Sequence, residues 1–396
     1  MKKVTVFMSY FGSLFYNKNM GKWKTAMDWL SGKVPGGIQV SNAFNMFRPK
    51  WKKSGKTAPV VKRFKVTEQV RIPSDGRRTY CWMPWEGHER HVDGVIYPHG
   101  VHPVPNMMNV TEELDTIDWS KIDKNTTVFV FNENGDFICA KISRRAALEM
   151  GGKKGANFDS MRTLFCNIFW SKPDVSRGAS RCGVGLSYKC IGWRLGFEKG
   201  ANKLQQYTFN GDVCPSVLAG IMEGMSHVAR RLEALSKRVM NSIKDFDYFM
   251  EVKKFIDLPS VAGTKDKDGK DIGIFTQTAM ASDGYWSNMH VDDDFFFTII
   301  SVLAGNKTRD DEVIYTFNFP TFGISIPMKS GDVIVYDSKV PHCTSNAKYS
   351  DSYIYSMYVS EKSVNCNAWI KFKEANPKEA GEIERKLEIN KLKRKR

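Results

Sequence analysis

The chain has 396 residues, 42% hydrophobic and 26% charged, a composition typical of a globular protein that can bury a large core. No run approaches the roughly 18 consecutive apolar residues needed to cross a bilayer, so no membrane partner is expected. The eight cysteines include no C-x-x-C pair, which argues against a small disulfide framework and favours reduced thiols in an intracellular protein.

The net charge of +16 is concentrated at one end of the sequence. Residues 1–80 hold 17 Lys and Arg against 3 Asp and Glu, whereas the remainder holds 42 against 40. This asymmetry favours a polyanionic partner such as nucleic acid. Trp23, Trp29 and Trp51 lie among these basic residues, and their rings could stack on nucleotide bases. The same pattern also fits tryptophans of a core beneath a solvated, lysine-rich surface.

Residues 1–115 are predicted to form a basic N-terminal α/β extension. A strand is expected at residues 3–7, a helix at residues 23–30 and a strand at residues 60–66. The first of these strands is favoured over a signal peptide, because its apolar run is interrupted and no small-residue cleavage site follows.

Four of the seven histidines lie between His88 and His102, and His91-Val92-Asp93 has the form of a metal-binding pair. Gly94 and Pro98 interrupt the segment that follows, so no long strand leads onward to a third ligand. The favoured interpretation is a loop whose histidines form hydrogen bonds or contact a substrate. A second metal site is the alternative.

Residues 116–262 are predicted to be a support region with a hairpin and a long helix. Asn134-Gly135 favours a type I′ turn between strands at residues 127–131 and 137–142. A short helix is expected at residues 144–150. A long helix should follow Pro215, because apolar residues then recur every three or four positions as far as Ile243.

Residues 263–365 are predicted to be a β-rich core, and residues 366–396 a basic C-terminal helix and tail. Short strands separated by Gly, Pro and Asn turns favour an antiparallel barrel or jelly roll. The predicted strands are residues 274–280, 289–302, 312–317, 322–327, 332–336 and 352–360. The tail is compatible with nucleic-acid binding, with a nuclear address or with a frayed, solvated end.

Within this core, His290-Val291-Asp292 is the candidate half of a metal site. Residues i and i+2 of a strand project to the same face, so His290 and Asp292 could bind one ion together. His342, which follows Pro341, is the candidate third ligand. Two imidazoles and one carboxylate make the facial triad of non-haem Fe(II) oxygenases, which leaves coordination positions open.

The order of these motifs resembles the Fe(II)-dependent, 2-oxoglutarate-type dioxygenases built on the double-stranded β-helix. The resemblance is carried by His290-Val291-Asp292, the apolar run behind it, the Gly331-Asp332 turn and His342. It implies an α+β fold with a double-stranded β-helix (jelly-roll) core and flanking helices. It also implies that His290, Asp292 and His342 hold Fe(II).

The chain departs from that family at the co-substrate anchor. The family usually places an arginine ten to sixteen residues after the second histidine, but Tyr353 and Ser356 stand on that strand here. Lys307 and Arg309 are alternative anchors for a carboxylate, although both also fit a solvated turn. The third possibility is that the co-substrate is not 2-oxoglutarate.

The basic, aromatic N-terminal region and the spacing from His290 to His342 are similar to the TET/JBP group. They are most similar to an algal, vitamin-C-dependent branch that modifies 5-methylcytosine. This resemblance implies oxidation of the methyl group of 5-methylcytosine or thymine in nucleic acid, with DNA as the favoured partner. It also implies ascorbate as the alternative to 2-oxoglutarate as co-substrate. Two alternatives stay open: Fe(II)-dependent hydroxylation of a protein side chain or small molecule, and a non-catalytic nucleic-acid-binding β-domain.

Overall fold

The computed structural model describes about two thirds of the chain, and these residues form a mixed α and β structure. Its centre is a nine-stranded sheet in which every neighbouring pair except β1–β6 is antiparallel. The described residues are 20–33, 61–66, 81–83, 90–92, 95–97, 100–102, 117–122, 126–144, 158–170, 188–195, 204–206, 215–241, 243, 246–281, 285, 287–345 and 347–393.

The helices and strands have the following bounds. The helices are α1 (Met20–Lys33), α2 (Phe158–Trp170), α3 (Pro215–Met240), α4 (Phe246–Ile256), α5 (Glu361–Ala375) and α6 (Pro377–Lys393). The strands that precede α4 are β1 (Val61–Val66), β2 (Cys81–Met83), β3 (Arg90–Val92), β4 (Val95–Tyr97), β5 (Gly100–His102), β6 (Thr127–Asn132), β7 (Phe137–Ile142), β8 (Tyr188–Leu195) and β9 (Leu204–Gln206). The later strands are β10 (Gln277–Ala281), β11 (Ser287–His290), β12 (Phe297–Ala304), β13 (Val313–Phe319), β14 (Ile324–Lys329), β15 (Val333–Asp337), β16 (His342–Thr344) and β17 (Ser352–Tyr358).

Two sheets contain most of the strands. The large sheet has the order β1-β6-β7-β15-β12-β17-β10-β8-β9, and the small sheet has the order β11-β16-β13-β14. From β10 to β17 the chain alternates between the two sheets, except that β13 and β14 are consecutive strands of the small one. Short pairs, β2 with β5 and β3 with β4, complete the described strands.

The large sheet is covered on both faces. Ile300 and Ile334 belong to a buried cluster that also contains Phe317 and Ile326 of the small sheet. Ile299, one position before Ile300, belongs instead to the cluster formed with the helices. Since successive strand residues point to opposite faces, the small sheet packs on one face of the large sheet and the helices pack on the other.

Several predicted elements are confirmed. The helix expected at residues 23–30 is α1, the hairpin is β6–β7 and the long helix is α3. Pro215 begins α3, where a missing N–H costs no hydrogen bond, and its predicted apolar stripe is buried at Met225, Leu232 and Val239. Strands expected at residues 332–336 and 352–360 are β15 and β17.

The single strand predicted at residues 289–302 is wrong. The chain forms β11 as far as His290 in the small sheet and starts β12 at Phe297 in the large sheet. The acidic run between them includes Asp294, whose carboxylate accepts a hydrogen bond of 2.6 Å from the Thr298 hydroxyl. This bond fixes the crossing where the chain leaves one sheet for the other.

The sequence did not predict α2, α4, α5, β8 or β9, although α4 buries Phe246, Phe249, Val252 and Ile256 at helical spacing. The predicted strand at residues 3–7 and nearly all of the predicted helix at residues 144–150 fall outside the described residues. The large sheet takes β1 from residues 1–115, four strands from 116–262 and four from 263–365. The sheet is therefore continuous across these ranges, and the domain division stays a prediction.

The aromatic residues of α1 belong to the core. Trp29 makes edge contacts with Phe255 and Phe372, with ring centroids 5.7 and 5.8 Å apart. The Lys22 side chain is also buried, with its ammonium group 5.4 Å from the centre of the Trp369 ring. Of the two interpretations left open for the N-terminal tryptophans, core packing holds for this helix.

Among the described helices, none has the length and apolar character required to cross a membrane. Cys139, Cys166, Cys190, Cys343 and Cys366 are free thiols. Burial raises the pKa of Cys366 to about 11, so this thiol stays protonated at neutral pH.

A buried carboxylate joins the helices to the segment before β10. Glu233 of α3 is buried, and its Oε2 accepts a hydrogen bond of 2.8 Å from the Ile274 N–H. Burial raises the pKa of Glu233 to about 7, although the Ile274 N–H and the charge of Lys253 oppose this shift. The unfolded chain therefore releases this proton at lower pH than the folded chain, and the stability that Glu233 supports is lost as the pH rises through 7.

We expect Glu233→Gln to remove this pH dependence, because glutamine keeps an acceptor for Ile274 without a titrating charge. The variant should be more stable than the parent at pH 8, by up to about 3 kcal/mol, with no such gain at pH 4.5. Urea unfolding at both pH values measures this difference. Glu251→Gln, an exposed site on α4, is the control. An equal loss of stability by Glu233→Gln at both pH values would contradict the expectation.

Candidate metal centre

Three side chains predicted to act together converge at one end of the small sheet. His290, Asp292 and His342 each offer a ligand atom, and these atoms all lie within 4.8 Å of one another. Asp292 Oδ1 is 3.4 Å from His290 Nε2, and Asp292 Oδ2 is 3.2 Å from His342 Nε2. Within the described part of the chain, no other group of His, Cys, Asp and Glu has this arrangement.

The β11–β16 pairing brings the two histidines together. His290 is the last residue of β11 and pairs directly with His342, the first residue of β16. Residues opposite each other in antiparallel strands share a face, which places the imidazoles side by side with their centroids 4.5 Å apart. Fifty-one residues separate the two positions in the sequence, so tertiary pairing alone creates this contact.

Asp292 reaches the histidines in a different way from that predicted. The sequence placed His290 and Asp292 on one face of a single strand, but β11 ends at His290 and Asp292 lies in the following turn. Its backbone N–H donates a hydrogen bond of 3.0 Å to the Ser338 carbonyl. The carboxylate is therefore positioned by the link between this turn and the end of β15.

His342 is held in the form that binds metal. The residue is buried, and Nδ1 lies 2.8 Å from the Val340 carbonyl oxygen, an arrangement in which Nδ1 carries the proton. Nε2 then has a free lone pair on the side of Asp292. Burial and the nearby His290 lower the pKa of His342, which favours the neutral imidazole.

The pKa values of Asp292 and Asp294 are shifted in opposite directions. Burial alone would raise the pKa of Asp292, but His290 and His342 hold it well below its usual value. Asp294 is also buried, and burial together with the charge of Asp292 raises its pKa well above the usual value. Asp292 is therefore the ionised carboxylate that faces the histidines.

A row of polar side chains that the sequence did not single out lies beside the histidines. The Tyr336 ring is 4.7 Å from that of His342, and Tyr336 lies opposite Thr298 on the neighbouring strand, whose hydroxyl donates to Asp294. Burial raises the pKa of Tyr336 well above its usual value, so its hydroxyl keeps its proton. Only the alternation of residues along β12 and β15 could have indicated that these side chains share a face.

Lys339 is a further residue that the sequence did not single out. Its Nζ donates to the Asp292 main-chain carbonyl at 3.3 Å and to Glu361 Oε2 at 2.9 Å. A cation at this position offsets the negative charge of the turn that carries Asp292 and links that turn to the start of α5.

The structure does not bring Lys307 and Arg309 to the histidines. They follow the C-terminal end of β12, whereas Asp292 contacts the segment next to its N-terminal end. Eight strand residues separate these ends by about 25 Å. Lys307 Nζ instead pairs with Asp159 at 3.2 Å, and Arg309 pairs with Asp351 at 2.8 Å.

Tyr353 and Ser356 of β17 face opposite sides of the large sheet. Tyr353 packs among the helices, with its hydroxyl 3.2 Å from Cys166 Sγ. Ser356 pairs with Ile300, a member of the cluster between the sheets, so its side chain faces the small sheet. Its hydroxyl donates to the Ala279 carbonyl at 3.4 Å. Of the two, Ser356 lies on the face that carries the histidines.

The structure describes only parts of the histidine-rich segment, residues 88–102. Parts of residues 88–102 form β3, β4 and β5, and β5 pairs with β2, which lies beside β11 and β16. His88, Asp93 and His99 lie outside the described residues, as do the side chains of the strands. Whether this segment contacts a substrate stays a prediction.

No protein-family model and no curated protein matches the sequence. Among solved structures, the chain is similar to NgTET1 in complex with 5mC DNA, at 11% identity over 63% of this chain and 82% of that chain, with a TM-score of 0.40. It is also similar to a Pseudomonas putida prolyl-4-hydroxylase, at 15% identity over 54% of this chain and 97% of that chain, with a TM-score of 0.26. An oxidoreductase of the 2OG-Fe(II) oxygenase family from Burkholderia pseudomallei gives 12% identity over 50% of this chain and 80% of that chain, with a TM-score of 0.27. All three TM-scores lie below 0.5, so the assignment of function depends on the residues of this chain.

Proposed function

We propose that this chain is an Fe(II)-dependent dioxygenase in which His290, Asp292 and His342 hold the iron. The convergence of their ligand atoms within 4.8 Å is the observation that carries the proposal. Two imidazoles and one carboxylate fit Fe(II), and the hydrogen bond from His342 Nδ1 leaves Nε2 available as the donor. Iron bound by such a set supplies oxygen activation through the coordination positions that the protein leaves open.

The arrangement of strands supports the same proposal. The strands from β10 to β17 alternate between a large and a small antiparallel sheet, and both histidines stand at the end of the small one. This is the organisation expected of the double-stranded β-helix. We therefore take β10–β17 as that core and the described helices as its flanking layer.

The three side chains of the metal centre differ in their exposure to solvent. The His342 side chain is 2% exposed, whereas those of His290 and Asp292 are 32% and 27% exposed, so a substrate can approach from the His290 side. On the opposite side, Phe317 stacks at 5.5 Å on the His342 ring, and Tyr336 contacts its edge. These aromatic rings exclude water from His342 and fix its plane.

The co-substrate would lie between the sheets beside the metal, on the face where Ser356 stands. Thr298 and Tyr336 occupy that face at the same end of the large sheet. Hydroxyl groups there can hydrogen-bond to an oxygen-rich co-substrate without supplying the charge that an arginine gives a carboxylate. Within the described residues, this favours ascorbate over 2-oxoglutarate. Lys307 and Arg309 lie beyond the other end of β12 and take no part in this arrangement.

For the substrate, we propose a methylated pyrimidine in nucleic acid, with DNA favoured. The excess of 14 positive charges in residues 1–80 supports a polyanionic partner. The core position of Trp29 removes that ring from any base-stacking surface. A base within a duplex would have to be flipped out to reach a centre between two sheets.

The test is incubation of the purified protein with Fe(II), oxygen and DNA that contains 5-methylcytosine, followed by nucleoside mass analysis. Ascorbate and 2-oxoglutarate are supplied in separate reactions. We expect a modified nucleoside with ascorbate and its loss in His342→Ala. Product from DNA that lacks 5-methylcytosine would identify thymine as the substrate. Product that forms without either additive, or equally in His342→Ala, would contradict the mechanism. Iron binding without any product from DNA would favour a protein or small-molecule substrate.

A further inference from the structure

The turn between β15 and β16 holds both backbone polar groups of Asp292. The Asp292 N–H donates a hydrogen bond of 3.0 Å to the Ser338 carbonyl, and the Asp292 carbonyl accepts one of 3.3 Å from Lys339 Nζ. Hydrogen bonds at both ends of one residue restrict its backbone torsions, and these torsions limit the side-chain rotamers. The direction in which Asp292 presents its carboxylate therefore depends on Ser338 and Lys339.

The same turn has a fixed conformation of its own. The Val340 N–H donates to the Asp337 carbonyl at 3.1 Å, and the Lys339 N–H donates to the Asp337 carboxylate at 2.9 Å. Two residues after Val340 the chain reaches His342, the first residue of β16. One hydrogen-bonded turn thus fixes the position of Asp292 relative to His342.

Lys339 also bonds to a different element, the start of α5. Its Nζ donates to Glu361 Oε2 at 2.9 Å, and the Glu361 N–H donates to the Asp293 carbonyl at 2.9 Å. The helix is anchored in the core through Val364 and Trp369. Because an ammonium group can donate three hydrogen bonds, Lys339 can tie the Asp292 backbone to this rigid support.

Lys339 has two effects on metal affinity, and they have opposite signs. Its positive charge repels a metal cation, so charge alone would make Lys339 weaken metal binding. Its hydrogen bonds hold the ligand carboxylate in place, which strengthens binding because less torsional freedom is lost when the metal arrives. The sign of the change on removing Lys339 therefore shows which effect is larger.

We propose that Lys339 is a positioning residue of the metal centre. It holds the Asp292 backbone against α5, so that the carboxylate stands between the imidazoles of His290 and His342 before a metal binds. This role rests on the proposed function, because it takes Asp292 to be an iron ligand. Groups that orient a metal ligand contribute about 10- to 100-fold to affinity, which exceeds the repulsion by one partly exposed charge.

Lys339→Met removes the charge and the hydrogen bonds but keeps an unbranched side chain. We expect its affinity for Fe(II) to fall by about tenfold or more, measured calorimetrically on the oxygen-free full chain. Lys362→Met is the matched control, because Lys362 pairs with the Asp293 side chain of the same turn at 3.2 Å. It removes the same charge and should bind Fe(II) at least as tightly as the parent.

The iron–nitrosyl electron paramagnetic resonance signal separates altered ligand geometry from a loss of folded protein. At saturating Fe(II), the signal of Lys339→Met should change in rhombicity, because a displaced carboxylate alters the ligand field. Partial unfolding would lower only its intensity. The urea midpoint of the metal-free variant should stay close to that of the parent, because the Lys339 and Glu361 side chains are 31% and 25% exposed.

Amide hydrogen exchange of the metal-free chain tests the positioning without any iron. Segment 291–296 should exchange roughly tenfold faster in Lys339→Met than in the parent or Lys362→Met, with α3 unchanged. Unchanged exchange in this segment, or Fe(II) affinity equal to or above that of the parent, would overturn the proposal. If the parent bound no Fe(II), the proposed function would fail. If the parent bound it and Lys339→Met bound it equally, only the role of Lys339 would fail.

Discussion

Asp292→Ala is expected to lower the affinity for Fe(II) by more than about 100-fold. Asp292 supplies the carboxylate between the two imidazoles, at 3.4 Å from His290 Nε2 and 3.2 Å from His342 Nε2. Residues that merely support a metal ligand already contribute 10- to 100-fold to affinity, so loss of a ligand should cost more. Calorimetric titration of the oxygen-free protein with Fe(II) measures this change.

Asp293→Ala is the matched control for this experiment. Asp293 is the adjacent carboxylate in the same turn, but its side chain is exposed and pairs with Lys362 at 3.2 Å. Its removal lowers the local negative charge by the same amount without removing a ligand, and we expect affinity close to that of the parent. Similar losses in the two variants would mean that general negative charge, rather than coordination by Asp292, attracts the ion.

Among substitutions that break an ion pair in the described part of the chain, Asp310→Ala should cause the largest loss of stability. Asp310 is buried and accepts a hydrogen bond from the guanidinium group of Arg162, which is also buried. Asp310 also pairs with Arg144 at 2.9 Å. Removing one partner of a buried pair costs about 3–5 kcal/mol because the other charge remains in the interior. Asp159 stays 2.6 Å from Arg162, so we expect about 3 kcal/mol by urea unfolding.

Two further variants show whether burial causes this loss. Lys373→Ala breaks the pair with Glu384, whose side chains are 53% and 37% exposed, and should cost at most about 1 kcal/mol. Arg162→Met combined with Asp310→Leu removes both buried charges and should recover much of the lost stability. A double variant less stable than Asp310→Ala would mean that the pair itself, rather than its desolvation, governs this site.

The β-rich core was predictable because alternation of buried and exposed side chains is a local property of a strand. In β14, Ile324, Ile326 and Met328 are buried while the residues between them are partly exposed, and the sequence shows the same alternation. The candidate metal ligands were also predictable, because a histidine and an aspartate at close spacing in a β-rich segment indicate a metal site.

The crossing after His290 was not predictable from local sequence. The sequence predicts a continuous strand through Phe295, Phe296 and Phe297. In the structure, Phe296 instead stacks on Phe249 of α4, with ring centroids 4.5 Å apart. Phe249 lies 47 residues earlier in the sequence, so a distant helix contacts part of the apolar run that a single strand would have used. Tertiary packing determines where β11 ends, and with it how Asp292 reaches the histidines.

The position of Lys307, a candidate co-substrate anchor, was also not predictable from local sequence. Lys307 is fifteen residues after Asp292, a spacing compatible with a return to the metal. The eight residues of β12 are extended, however, and carry Lys307 to the far end of the sheet, where Asp159 of α2 pairs with it. The helix α2 lies in a segment whose aromatic and basic residues show no clear period, so neither it nor this partner could be predicted.

The most direct test of the central claim is electron paramagnetic resonance of the Fe(II)-loaded, oxygen-free protein after addition of nitric oxide. Nitric oxide binds Fe(II) only where a coordination position is open, as the His290–Asp292–His342 set requires. The account predicts a high-spin iron–nitrosyl signal equivalent to one iron per chain in the parent and in Asp293→Ala, and its loss in Asp292→Ala. An equal signal in Asp292→Ala, or none in the parent at saturating Fe(II), would contradict the assignment.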